Sequence, residues 1–220
     1  MTTGLILHKD PRDSQYQYNI VAGDKPPFKQ KEWWANGWWG DQGTTPFCGA
    51  YSWLHLLEDG PVFQDKLESK KTPMFSPEQF YKKCKEIDGL SGEGTTIHAC
   101  AKIAKSLGLI REYRWINNVE DAVVALLVHG PLIAGTHWYV GMEADSSGRM
   151  RVSGASVGGH AYVINGVDED KQTFRIKNSY GKKWGKNGHG YISFKDMQKL
   201  FDDGGSLCVP FVEQVEVIKL

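Results

Sequence analysis

The hydrophobic period of the chain changes once, at Gly130, and that change limits the possible folds more than any other feature. Before it, apolar residues recur at helical spacing; after it they fall in short runs separated by glycine-rich turns. Thr45 is placed to cap a helix and Pro46 suits its first turn, with Cys48, Gly49, Ala50, Tyr51, Ser52, Trp53, Leu54, His55, Leu56 and Leu57 following without a breaker. Ser76, Pro77, Glu78 and Gln79 combine a capping box with proline at the first position and open a second helix towards Cys84. A third is expected from Thr95 or Thr96 to Gly108. A fourth should run from Asn118 to Gly130, with Glu120 and Asp121 in the turn where the helix dipole favours anions. Strands are expected at 132–134, 161–164, 173–176 and 191–194. Helices first and strands second make an α+β protein, with a helical lobe around 45–125 and a β-rich lobe from 126 to about 205. No repeat or low-complexity linker divides the chain, so 1–220 reads as one domain. Residues 1–44 form an irregular leading segment, and the C-terminal part of 126–220 crosses back between the lobes.

Twenty-six basic side chains balance twenty-six acidic ones, which removes the global field that would favour nucleic acid or an anionic membrane. The longest apolar run, residues 122–128, is far short of a bilayer span, and Leu5, Ile6 and Leu7 are too few for a signal-peptide core, so a cytoplasmic setting is expected. Four cysteines, Cys48, Cys84, Cys100 and Cys208, show neither a dense disulfide framework nor a paired metal pattern. Cys100 shares a helical stripe with Ile97, Ala101, Ala104 and Leu107, which reads as core packing. Trp33, Trp34, Trp38 and Trp39 read as packing under a loop rather than a ligand platform.

A cysteine is a nucleophile as thiolate, and a helix N-terminus or a neighbouring imidazolium brings its pKa down. Cys48 has the first by position. Gln42, six residues earlier, is within reach of folding its amide beside the helix start, where with the Cys48 N–H it would form an oxyanion hole. Gly158, Gly159, His160 and Ala161 put a histidine where a glycine turn enters an apolar strand; alone, such a histidine is more often a satisfied structural one. Asn178 closes a later strand and begins the run Asn178, Ser179, Tyr180, Gly181, Lys182, Lys183, Trp184, Gly185.

Together these motifs resemble the papain family of cysteine peptidases, over roughly residues 40–195, and the likeness is to short prokaryotic or phage-borne members without a long propeptide. The resemblance implies a two-lobed fold with the active cleft between a helical lobe and a barrel-like β lobe. It implies Cys48 as nucleophile, His160 as base and acid, Asn178 as the group orienting the imidazole, and Gln42 in the oxyanion hole. It further implies that Glu93, Gly94 and Thr95 pair with extended substrate, that Gly135, Gly158 and Gly159 border substrate pockets, and that Trp184 shields the asparagine–histidine hydrogen bond or is an ordinary core indole. The substrate would be a peptide or protein cleaved internally, with no metal or organic cofactor.

The chain departs from the family pattern in having Phe47 before the nucleophile and Gly49 after it, and Tyr180 after Asn-Ser, which keeps a flat ring but adds a hydroxyl needing a partner. The spacing from Cys48 to His160 is shorter than the roughly 130–150 residues of papain and cathepsins, implying trimmed loops. Too few residues precede Gln42 for a standard inhibitory propeptide, so residues 16–39 are expected to fold near the cleft and limit access. His137 is the alternative imidazole, and His55, two helical turns from Cys48, reads as structural. Two rival readings stay open: another thiol-based acyl transfer such as cell-wall amide hydrolysis or transpeptidation, and a catalytically silent protein of the same fold.

Overall fold

A computed structural model of the chain describes residues 3–8, 10–20, 25–33, 35, 38–59 and 75–212. Trp34 and the last eight residues, expected to cross back, lie outside them.

The helices start where cap chemistry allows. Helix α1 (Cys48–Glu58) begins two residues later than Thr45 suggests, because Thr45 turns its hydroxyl onto the Gln42 carbonyl at 2.7 Å and Phe47 takes the cap position without a side-chain bond. Cys48 is therefore the first helical residue. Helix α2 (Pro77–Asp88) follows Ser76 with proline in its first turn, but the Ser76 side chain makes no capping bond. Helix α3 (Ile97–Ser106) and helix α4 (Val119–Val128) are capped as expected: Thr96 accepts from the Ala99 N–H and Asn118 from the Asp121 N–H. Cys100, Ile97, Ala101 and Ala104 are buried, whereas Leu107 is 46% exposed and leaves the stripe.

The strands are β1 (Gln30–Glu32), β2 (Glu112–Ile116), β3 (Leu132–Tyr139), β4 (Ser156–Asp168), β5 (Thr173–Lys177), β6 (His189–Ser193) and β7 (Ser206–Phe211). They form one sheet in the order β2-β7-β3-β4-β5-β6, with β1 added to the far end of β4; every pairing is antiparallel. The stretch expected to be a helical lobe thus lends β2 to the sheet. The β-rich stretch in turn contains helix α5 (Phe194–Asp202), which takes Phe194 out of the expected strand; Ser193 caps it and Met197, Leu200 and Phe201 are buried.

Alternation along the central strands gives the sheet two apolar faces. Ile133, Ala161, Val163 and Cys208 point to the face covered by α1, α2 and α3, together with Trp53, Leu56, Leu57, Phe80, Cys84 and Cys100. Leu132, Ala134, Trp138, Tyr162 and Ile164 point to the other, packed by α4 and α5. All four cysteines are free and buried. Among the described residues no helix is long and apolar enough to cross a membrane.

Candidate functional site

The start of α1 lies against the middle of β4. Backbone amides of Ala161, the residue after His160, and of Gly4 and Gly49 act to lower the pKa of the Cys48 thiol. On β4, His160 pairs across the ladder with Thr136, and its Nε2 lies 2.9 Å from Oδ1 of Asn178, the residue just after β5. That oxygen also accepts the Ser179 N–H at 2.8 Å. The second imidazole nitrogen, Nδ1, is buried without a partner and is the atom left to exchange a proton. Tyr180 stacks on the imidazole with centroids 5.1 Å apart, and Trp138 meets it edge-on at 4.7 Å. Trp138 is the ring that motif reading missed; the signal was its place on β3, two residues from the partner of His160. Trp184 packs one layer further out, on Trp138 and Tyr180.

Gln42 is held in place, with its Oε1 accepting from the Ser179 hydroxyl at 2.5 Å and its Nε2 donating to the Thr45 carbonyl at 2.9 Å. Cys48, His160, Asn178 and Gln42 are each no more than 2% exposed. Residues 3–8 run between α3's entry and β4, joined to both through backbone bonds. Leu5 N–H donates to the Gly159 carbonyl at 3.0 Å, Ile6 N–H to the Thr95 carbonyl at 2.9 Å, and Thr95 N–H to the Gly4 carbonyl at 3.0 Å. Thr3 adds a hydroxyl bond to the Val157 carbonyl at 3.1 Å.

The glycines singled out from the sequence are where this strap comes closest. A Cβ on Gly159 would lie 2.3 Å from the Leu5 carbonyl oxygen, on Gly158 2.3 Å from the Thr3 hydroxyl, and on Gly94 2.6 Å from the Gly4 carbonyl oxygen. Gly94 and Gly158 also have positive φ, +92° and +126°. On Gly135 it would press on Ile97 and the Leu5 side chain, so that glycine makes room for Leu5. Glu93 is exposed.

The described residues among 16–39 pack away from the cleft, contrary to expectation. Tyr16 stacks on Tyr113, Gln17 bridges to Trp115, β1 lines the edge of β4, and Trp33 Nε1 donates to the Leu126 carbonyl at 2.8 Å. Trp38 packs on His55 and Tyr51, and Trp39 lies under Lys177, both as packing groups. His137, the alternative imidazole, points to the other side of β3 from His160 and sits near Ser156 at 3.3 Å. Among the described residues no group of three or more His, Cys, Asp and Glu could hold a metal ion.

Burial acts on both the Cys48 thiol and the His160 imidazole in the direction that favours the neutral form. Loss of solvent pushes the Cys48 thiol up, against the lowering effect of its backbone hydrogen bonds. It pushes His160 down to about 4, against the raising effect of the Asn178 bond.

The fold is that of the papain-like cysteine proteases. Xylellain, a cysteine protease from Xylella fastidiosa, superposes with a TM-score of 0.70 at 18% identity, covering 96% of each chain. Digestive procathepsin L 3 from the larval midgut of Tenebrio molitor gives 0.67 at 15% identity, over 90% of this chain and 74% of that one. Bromelain from Ananas comosus gives 0.63 at 14%, over 84% and 99%. An uncharacterised peptidase C1-like protein of Acanthamoeba polyphaga mimivirus is 29% identical over 106 residues, which are 43% of this chain and 34% of that relative. The chain thus matches about a third of that relative's length. No protein-family model matches.

Proposed function

We propose that the chain is a cysteine peptidase that cleaves within peptide chains, and that residues 3–8 hold it latent. The observation that carries the reading is Cys48 at the start of a helix packed on β4, the strand that carries His160, whose imidazole is fixed through Nε2 and unpartnered at Nδ1. His160 takes the thiol proton, and the thiolate attacks the scissile carbonyl carbon. The oxyanion is held by the Cys48 N–H and by the Gln42 amide, which leaves the Thr45 carbonyl to do so. Imidazolium gives its proton to the leaving amine as the C–N bond breaks; water, deprotonated by His160, then releases the acid from the thioester. Asn178 keeps the ring in register through both steps.

The strap occupies the cleft as a blocker and not as a substrate. The Gly4 carbonyl is engaged by the Thr95 N–H and the Leu5 carbonyl faces Gly159, while the Gln42 amide is on the Thr45 carbonyl and holds neither.

Mass spectrometry after treatment with a peptidyl epoxide, on the full chain and on a variant lacking residues 1–9, tests this reading. The shortened chain should label stoichiometrically at Cys48, about a thousandfold faster than the full chain, and much more slowly once His160→Ala is added. Cleavage of an unfolded protein by the shortened chain should vanish in Cys48→Ala. No labelling of the folded, shortened chain, or equal labelling of Cys84, Cys100 and Cys208, would favour a silent binding protein.

A further inference from the structure

Behind the site, on the side away from the strap, lies a buried polar cluster that the proposed chemistry does not use. Lys177 is the last residue of β5 and Asp59 the residue that closes α1, and both side chains are fully buried. Lys177 Nζ lies 3.0 Å from each oxygen of the Asp59 carboxylate. The same ammonium sits 4.7 Å over the ring of Trp39. One residue further on, the Gly40 N–H donates to Nε2 of His55, on α1, at 3.1 Å. The Gly40 carbonyl accepts from Gly181 at 3.1 Å, and Gln42 N–H donates to the Ser179 carbonyl at 2.8 Å.

These contacts join three segments, each carrying one group of the proposed site. Cys48 begins the helix that Asp59 ends, Gln42 ends the stretch that starts at Trp39, and Asn178 follows Lys177 directly. A desolvated ion pair keeps its energy only in good geometry with its partner, so a slide of α1 along β5 would strand a charge. A buried acceptor facing a single backbone N–H constrains the loop in the same way.

We infer that Lys177, Asp59 and His55 are positioning residues for peptide-bond hydrolysis, setting α1, residues 39–42 and the end of β5 in the register that brings Cys48, Gln42 and Asn178 together. The inference rests on the peptidase reading. Burial and the Lys177 charge push the His55 pKa well below its ordinary value, which keeps its Nε2 an acceptor for Gly40.

Because a single substitution breaks a buried ion pair and risks unfolding, the test uses the double variant Lys177→Met with Asp59→Leu, in the chain lacking residues 1–9. His55→Leu and His55→Gln accompany it, the glutamine restoring an acceptor for Gly40. Thermal unfolding identifies variants that are folded. Two quantities are then read on folded protein: kcat and KM for a peptide substrate, and the rate of Cys48 alkylation by iodoacetamide, which needs no substrate. The expected result is a fall in kcat of at least about tenfold with KM little changed, for the double variant and for His55→Leu, and recovery of most of it in His55→Gln. Alkylation of Cys48 should slow in the double variant. Unchanged kcat and alkylation in the folded double variant would overturn the inference. A parent that hydrolyses no peptide would overturn the peptidase reading instead, and alkylation alone would then decide whether the cluster sets the geometry at Cys48.

Discussion

The two sides of the site are held by different kinds of interaction. In front, residues 3–8 are attached by three backbone hydrogen bonds and one hydroxyl bond, with Leu5 filling the space that Gly135 leaves. At about 1 kcal/mol each, those bonds can be exchanged for bonds to another extended peptide at little net cost. Behind, Lys177 and Asp59 are fully buried, and exchanging either for another partner would first require a desolvated charge to be uncovered. The front is built for replacement and the back for permanence. A site that must admit different chains yet keep its reacting atoms in register needs both.

The largest expected effect breaks the back. Lys177→Met alone leaves the Asp59 carboxylate buried beside a thioether and should cost about 3–5 kcal/mol of stability, read as a lower denaturant midpoint with unchanged slope. A cost below about 1 kcal/mol, the level of an exposed pair, would mean that the two sides are not held as differently as argued.

Acid should act on the front. His160 is kept neutral in the covered site, with its pKa down from an ordinary 6.5 to about 4, so an uncovered or unfolded chain binds the proton first. The covered arrangement is fully stable above about 6.5 and loses up to about 1.4 kcal/mol per pH unit as pH falls towards 4. The amide resonance of Leu5 should move towards its unfolded position across that window; a flat titration would break the comparison on this side.

The smallest effect sharpens it. The Tyr180 hydroxyl is buried without a partner although its ring stacks on His160. Tyr180→Phe should keep the stacking and raise stability by about 1 kcal/mol, seen as a modestly higher melting temperature with turnover preserved.

How much of this the sequence revealed follows from how local each signal is. Helices α3 and α4 begin where their caps, Thr96 and Asn118, lie within three residues of the N–H groups they satisfy. The residues of the proposed site could be picked out as candidates because the chemistry proposed for them restricts residue type. Strand β7 was missed because Pro210 argues against a ladder; the structure accommodates it past the end of the β3 pairing, which stops at Cys208, opposite Tyr113 of β2. The strap was missed because pairing through backbone groups leaves no mark on side chains. Leu5, Ile6 and Leu7 looked like a short apolar run, and control was assigned to residues 16–39. The Lys177–Asp59 pair joins residues far apart in the chain, and nothing near either announces burial.

The strap is also a tethered ligand. A peptide joined to its own binding site through a short stretch works at an effective concentration of order 1 mM, so an intrinsic affinity of about 1 μM would keep roughly 99.9% of molecules closed. A single cut between residues 8 and 10 would leave every contact in place and remove the tether. At nanomolar protein the same peptide would then be diluted far below its dissociation constant and leave, and rejoining would be negligible. Blocking strength would thus reside less in the contacts at Leu5 and Thr95 than in one covalent bond outside them, and opening by such a cut would be irreversible.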